Sequence, residues 1–340
     1  MIYSPNKALR HPQKLIEIRN NIPTGPTHVQ LILSDLCNQN CSFCAYRDPN
    51  YVSSQLFHDN GNYNPNRQLP KLKAIEILDD CKEMGVKAVQ FTGGGEPTVH
   101  TDFQEIVDYC TKIGISWGLI TNGVKLHKFD VSKASWIRIS LDASNSKTYS
   151  KIRQVLEIHF DKALDSIRKY KCGVGFIVTQ DNWTEVYEAA LLAKALGASN
   201  FKIGPRFTDQ PDYFDGFYER ALELTRNAES LADETFQVFN RFPTKIKEIL
   251  EPPIHKLCGY QYFTTYIGAD QNLYRCCVYA YNPYGLVGTV NGRRFKDVWY
   301  ENWHSIKDFD ATKCVGCHYK DINESLQYPL SEYEKDDEFV

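Results

Sequence analysis

No stretch of this chain is apolar for long enough to cross a bilayer as a helix. Its opening, Met1-Ile-Tyr-Ser-Pro-Asn-Lys7, lacks the apolar core of a secretory signal. A helical membrane protein is thereby excluded and a cytosolic one expected. Excess positive charge is also missing. Lys and Arg number 39 against 42 Asp and Glu, a net charge of −3, so the chain carries no electrostatic footprint for nucleic acid. No internal repeat is visible beyond a strand–helix period. What remains, 340 residues that are 42% hydrophobic and 24% charged, suits one large globular domain and at most one small one.

Cysteine is not scarce. Eleven of them in a chain expected to meet a reducing cytosol argue for metal or redox work rather than disulfides. Three fall in Cys37-Asn-Gln-Asn-Cys41-Ser-Phe-Cys44, just after the apolar run His28-Val-Gln-Leu-Ile-Leu33. Three thiolates on one short loop can hold three irons of a cubane cluster and leave the fourth open. A fully ligated four-cysteine cluster passes electrons only; an open position can bind and activate a small molecule, as it does at catalytic zinc. A zinc knuckle is the competing reading, but it prefers C-x2-C pairs with a local fourth ligand. The nearest later histidine is His58, in a loop rich in Asn and Pro.

This C-x3-C-x2-C loop after a first strand, with Phe43 before the last cysteine, resembles the radical S-adenosylmethionine (radical SAM) enzymes. The resemblance implies that Cys37, Cys41 and Cys44 ligate a [4Fe–4S] cluster and that the SAM methionine chelates its open iron. One electron then cleaves the sulfonium, and a 5′-deoxyadenosyl radical abstracts hydrogen from the substrate. The cofactor supplies the chemistry, and the protein supplies orientation and shielding from solvent.

The text downstream alternates. Helical spacing marks Lys71–Met84, Phe103–Ile113, a weak stretch near Val124–Ala134, Lys147–Tyr170 (one helix, or two broken near His159) and Trp183–Leu196. Between them lie short β-rich runs at Ala88–Thr92, Ile115–Ile120, Trp136–Leu141, Gly173–Val178 and Asn200–Ile203. Repeats of about 30 residues mean right-handed βαβ units and a parallel sheet. Counting the first strand, there are six, too few for a closed eight-strand barrel and suited to the α/β partial (β/α)6 TIM-like barrel of the resembled family. Ligands in such sheets bind at the carboxyl ends of the strands. The expected organisation is an N-terminal lead at 1–27 with a short helix near Lys14–Arg19, the barrel at 28–210 and a helical linker at 211–254. A cysteine module follows at 255–320, then an acidic, mobile tail at 321–340. Turn formers crowd 48–70, which reads equally as a substrate lid or a solvated insertion.

Several candidates sit at strand ends. Thr92-Gly-Gly-Gly-Glu-Pro97 lets the backbone approach a ligand closely. Alone it reads as a tight turn; at this place it resembles the family's motif for the SAM amino group, which implicates Gly93, Gly94, Gly95 and Glu96. Alternation along the fourth strand puts Arg138, Ser140 and Asp142 on the face opposite Ile137, Ile139 and Leu141. Ser140 is similar to a serine that contacts the SAM methionine in related enzymes. Arg153 resembles an arginine that pairs with the SAM carboxylate; the alternative is an exposed helix arginine. Asn122 either touches SAM or makes its turn. Lys202 and Arg206 share a face at the sixth strand and either reach substrate or SAM or cap the sheet edge. Phe43 and Tyr46 border the adenine or pack as core aromatics. Gly175 marks a close approach in mid-strand. Cys81, Cys110 and Cys172 read as buried fillers.

A second cysteine set closes the chain: Cys258, a hairpin (Tyr260–Ile267, then Leu273–Cys276), and Cys314-Val-Gly-Cys317. On spacing alone zinc fits as well as iron–sulfur. The order is similar to the Twitch member of the SPASM/Twitch modules, a hairpin plus helix carrying one auxiliary [4Fe–4S] cluster. That likeness selects Cys258, Cys276, Cys314 and Cys317, with Cys276 preferred over its neighbour Cys277; His318 is a less favoured substitute. The combined resemblance implies an oxidoreductase or maturase acting on a ribosomally made peptide. A flavodoxin or ferredoxin is the expected electron donor. The short N-terminal lead implies a separate leader-peptide recognition protein. The alternatives are a radical dehydrogenase of a sugar or aminocyclitol alcohol and, from another class, a non-catalytic metal-binding protein.

Overall fold

The computed structural model describes residues 4–48, 67–208 and 210–331. Ten strands form one sheet: β1 (His28–Ile32), β2 (Ala88–Thr92), β3 (Ser116–Thr121), β4 (Trp136–Ser140), β5 (Gly173–Val178), β6 (Asn200–Pro205), β7 (Gln237–Asn240), β8 (Thr264–Ile267), β9 (Asn272–Tyr274) and β10 (Leu286–Thr289). Their order is β10-β9-β8-β1-β2-β3-β4-β5-β6-β7. From β8 through β1 to β7 every pairing is parallel, while β8–β9 and β9–β10 are antiparallel. The six expected strands are therefore all present as a partial TIM-like barrel. The C-terminal hairpin extends the same sheet from the β1 edge.

Burial alternates along the central strands with period two, as the pleat requires. Phe201 and Ile203 on β6, and Ile137 and Ile139 on β4, are buried against the outer helices, while Lys202, Arg138 and Ser140 between them keep partial exposure. The second face thus lines a concave interior, the lumen. Outside it pack the helices Lys71–Glu83, Phe103–Lys112, Ser146–Arg153, Ile158–Lys169 and Val186–Ala195. The stretch after Lys147 is two helices, and the break falls before His159, where Gln154 turns left-handed (φ 52°).

Four expectations change. Near Val124–Ala134 no α-helix forms: Leu126–Lys128 is one tight turn and Val131–Ala134 another (Ala134 amide to Val131 carbonyl, 3.0 Å), and between them Asp130 takes the Ser132 amide on its own side chain and diverts the chain from a helix. The linker is not helical throughout. The helix Tyr218–Glu229 ends, Asp233 accepts hydrogen bonds from the Thr235 and Phe236 amides, and the chain re-enters the sheet as β7 beside β6. Tyr260–Phe263 is one helical turn before β8 rather than part of the strand. Residues 321–331 are not a loose tail: Lys320–Leu330 is a helix that buries Asn323, Leu326 and Leu330 and packs on the N-terminal segments Pro5–Arg10 and Pro12–Arg19. The acidic run that suggested a tail, Glu332 to Glu338, begins only after this helix. The rest of the tail, 332–340, and most of the loop expected at 48–70 lie outside the described residues. Among the described residues no helix is long and apolar enough to cross a membrane.

Candidate active site

The cysteine loop leaves β1 through Ser34 and Asp35, both buried. It is sewn to the glycine turn that leaves β2: the Gly95 amide donates to the Ser34 carbonyl (2.9 Å) and the Glu96 amide to that of Leu36 (2.8 Å). A Cβ on Gly95 would stand 2.0 Å from the Leu36 carbonyl oxygen, and one on Gly93 would stand 1.7 Å from that of Gly95. Glycine is required here because two backbones touch. The buried Glu96 carboxylate locks the turn. It accepts from the Thr98 amide (3.1 Å) and hydroxyl (2.6 Å), the Thr121 hydroxyl (2.6 Å) and the Asn122 amide (2.8 Å). Asn122 makes its own turn, accepting from the Val124 amide (3.1 Å), and also donates to Asn38 of the cysteine loop (2.7 Å).

From the other side the loop rests on the helix Ser146–Arg153. The Asn40 and Ser42 amides donate to the Arg153 and Ile152 carbonyls (3.0 and 2.9 Å), groups that a helix end leaves without intrahelical partners. The Arg153 side chain is buried, not exposed. Its guanidinium forms an ion pair with buried Asp142, donates to Gln39, lies 4.8 Å over the Tyr149 ring and comes within 4.0 Å of the Cys41 sulfur. Burial opposes its charge, but Tyr149 and Asp142 outweigh burial and keep it protonated beyond the usual range. Gln39, which also donates to the Tyr149 hydroxyl (2.8 Å), and Asp142, held at φ 58° and accepting from the Ile177 amide (2.6 Å), complete this support. No spacing in the sequence announces Gln39. Asp142 was visible only as the continuation of the β4 alternation.

Burial pushes the free thiols up, Cys37 to about 12 and Cys41 to about 11, and raises Cys44. They are neutral until a metal displaces their protons. Among the described residues no three His, Cys, Asp or Glu side chains converge closely enough to hold a single metal ion. A zinc site needs such convergence on one point, whereas a cubane presents separate irons to separate thiolates. The all-sulfur donor set fits the cluster.

Of the other candidates, Ser140 faces the lumen, and no hydrogen bond among the described residues engages its hydroxyl. Phe43 packs on the main core. Tyr46 meets the C-terminal hairpin, its hydroxyl 2.5 Å from that of Tyr266 and its ring edge-on to Tyr281. Lys202 lines the lumen, while Arg206 pairs with Asp48 at its rim (2.6 Å). Cys81, Cys110 and Cys172 are buried among apolar side chains.

The second cysteine set also assembles. Cys258, Cys276, Cys314 and Cys317 line one cavity with Tyr260 and Arg275. Burial first, then neighbouring sulfurs of the set, raises Cys258 and Cys314 to about 12. Cys277 does not line this cavity; its sulfur lies 2.9 Å from the Tyr319 hydroxyl. Tyr319 stacks on Tyr260 at 3.6 Å, and Tyr260 accepts from Gln30 of β1 (3.2 Å), so the module abuts the barrel interior directly.

Residues 31–193 match the family model of the radical SAM superfamily. The chain is 29% identical over 184 residues to the S-adenosylmethionine-dependent nucleotide dehydratase of Flammeovirga pacifica, covering 51% of this chain and 59% of that protein. It is 30% identical over 182 residues to the mycofactocin maturase MftC of Mycolicibacterium smegmatis, covering 49% and 41%. The chain thus spans about half the length of the curated relatives it matches. Among solved structures, SuiB of Streptococcus suis bound to S-adenosylmethionine superposes with a TM-score of 0.61 at 15% identity, over 88% of this chain and 72% of that one. SuiB bound to the precursor peptide SuiA gives 0.61 at 17%, over 95% and 76%. At such identity the likeness concerns the fold. The cysteine loop, the glycine turn and the strands β2 to β5 all lie inside the segment 31–193 that matches the radical SAM superfamily.

Proposed function

We propose that this chain is a radical SAM enzyme that modifies a ribosomally synthesised peptide, with an auxiliary [4Fe–4S] cluster held by Cys258, Cys276, Cys314 and Cys317. When bound at Cys37, Cys41 and Cys44, the first cluster and its S-adenosylmethionine supply the reductive cleavage and hydrogen abstraction. The chain's own residues position that chemistry. Gly93–Glu96 offer a rigid backbone edge to the methionine amine, Ser140 offers a hydroxyl, and Arg153 fixes the cysteine loop from below. The Arg153 guanidinium is already committed to Asp142 and Gln39, so its part is to hold the loop rather than to clamp a carboxylate alone.

One observation carries the reading: four cysteines line one cavity that abuts the barrel interior, in a chain that is similar to a mycofactocin maturase and shares the fold of SuiB, solved with a precursor peptide. A second reading, a nucleotide substrate, is favoured by the nucleotide dehydratase match. Substrates deuterated at candidate carbons decide between them. Label passing into 5′-deoxyadenosine from a precursor peptide supports the proposal; label passing from a nucleotide or a sugar alcohol, and never from a peptide, refutes it.

A further inference from the structure

Arg275 follows directly on β9 and precedes Cys276. Its side chain lines the cavity of the second cysteine set together with Cys258, Cys276, Cys314 and Cys317. Nη1 donates to Oε1 of Gln261 (2.9 Å) and to the Ser305 carbonyl (3.0 Å), and Nη2 donates to the Ser305 hydroxyl (2.8 Å). Gln261 in turn donates to the Ile306 carbonyl (2.7 Å). Ser305 and Ile306 belong to the short helix Trp303–Lys307, near whose end carbonyls lack intrahelical partners. The guanidinium carbon lies 4.4 Å over the Phe309 ring, which fixes the plane of the fork.

This staple holds the outer nitrogens and leaves Nε over. Nε is buried, and among the described residues no acceptor meets its N–H. The acceptors that the guanidinium does use are neutral, and among the described residues no carboxylate pairs with it. The groups that act most strongly on its charge are Cys258, Tyr284, Cys276 and Cys314. Arg153 at the first set differs, because Asp142 matches its charge. A second donor already faces the sulfurs: Nδ2 of Asn323 lies 3.5 Å from that of Cys317. A buried N–H without an acceptor is costly. Thiolates around a cluster would supply both the acceptor and the counter-charge. Positive charge and N–H donors at cluster sulfurs favour the reduced state, which carries one more negative charge.

We propose that Arg275 raises the one-electron reduction potential of the cluster held by Cys258, Cys276, Cys314 and Cys317. The inference rests on the auxiliary-cluster reading above. The guanidinium contributes in two ways. Its charge offsets the negative charge gained on reduction, and its Nε–H donates to sulfur, the acceptor it otherwise lacks. A raised potential suits the second cluster to receive an electron rather than to supply one. The bonds to Gln261 and Ser305 keep the arginine a positioned charge instead of a free surface side chain.

Redox titration of the full-length, anaerobically reconstituted chain, followed by electron paramagnetic resonance, tests this. A C37A/C41A/C44A background leaves only the second set to bind iron, about four per chain. Within it, R275M should lower the midpoint by at least tenfold in the reduction equilibrium, about 59 mV for one electron. R275K, which keeps the charge without the planar fork, should fall between R275M and the parent. S305A removes the hydroxyl end of the staple, leaves the charge and Nε in place, and should keep the parent midpoint. Iron stays at the parent value in all three. The inference is overturned, while the auxiliary cluster stands, by an unmoved or raised midpoint in R275M or by a lysine that recovers none of the shift. A shift in S305A as large as that in R275M, or loss of iron from R275M, overturns it too, because the arginine is then a staple only. A parent that binds no iron–sulfur cluster overturns the auxiliary-cluster reading itself.

Discussion

Replacing Arg153 by Met should leave the most instructive defect. The ion pair with Asp142 is buried, each side chain being 3% exposed, so the variant strands a carboxylate in a low-dielectric site. Breaking such a pair from one side typically costs about 3–5 kcal/mol. The cost has a ceiling, because Asp142 can take up a proton instead. At pH 7, protonating a carboxyl whose unfolded pKa is about 3.9 costs ~4 kcal/mol, and at pH 5 only ~1.5 kcal/mol. Losing the bond to Gln39 adds about 1 kcal/mol at either pH. The sign follows from proton counting. In the variant the folded state holds a proton on Asp142 that the unfolded state releases above pH 3.9, so stability falls as pH rises, by ~1.4 kcal/mol per unit. Denaturant unfolding of the reduced, metal-free protein at pH 5 and pH 7 reads this directly. R153M should lie about 5 kcal/mol below wild type at pH 7 and about 2.5 kcal/mol below it at pH 5. Adding D142N should remove the pH-dependent part. A loss under 1 kcal/mol, or one that does not change with pH, would refute the view that this pair is the buried support of the cysteine loop.

Other perturbations separate neighbouring residues. C276A should lower iron from about eight to about four per chain while C277A keeps about eight, checked by anaerobic iron and sulfide analysis; the reverse pattern would move the ligand by one residue. G95A places a methyl group against the Leu36 carbonyl and should cost about 1–3 kcal/mol in denaturant unfolding. The same variant should cut S-adenosylmethionine cleavage at least tenfold, because the glycine turn and the cysteine loop can no longer meet; wild-type turnover would count against that contact. E96Q keeps the shape but turns an acceptor into a donor facing Thr121 and Asn122, and should destabilise by about 1–3 kcal/mol in the same assay.

Much of this was legible because local chemistry and global fold agreed. Gly93 and Gly95 read as close-approach residues, and a Cβ at either would strike a carbonyl. The β4 alternation put Arg138 and Ser140 on the face that lines the lumen. What the sequence hid depends on contacts distant along the chain. Gln39 bridges Tyr149 and Arg153 across more than a hundred residues, and no motif marks it. β7 was masked by charged neighbours that favour helix; its pairing with β6 overrides that propensity. The hairpin β8–β9 was expected as a separate module, yet β8 continues the barrel sheet beside β1 and brings Tyr266 onto Tyr46 of the cysteine loop. Arg153 was expected at the ligand and proved to be held from beneath by Asp142, a partner eleven residues away that only the β4-to-helix geometry brings near.

The central claim is that Cys37, Cys41 and Cys44 hold the cluster that cleaves S-adenosylmethionine. It is tested most directly by comparing wild type with the C37A/C41A/C44A variant after anaerobic reconstitution and dithionite reduction. Wild type should show an iron–sulfur spectrum and release 5′-deoxyadenosine, while the triple variant should keep the iron of the second set and release none. Nucleoside released at the wild-type rate by the variant, or a wild type that binds no iron, would contradict the account.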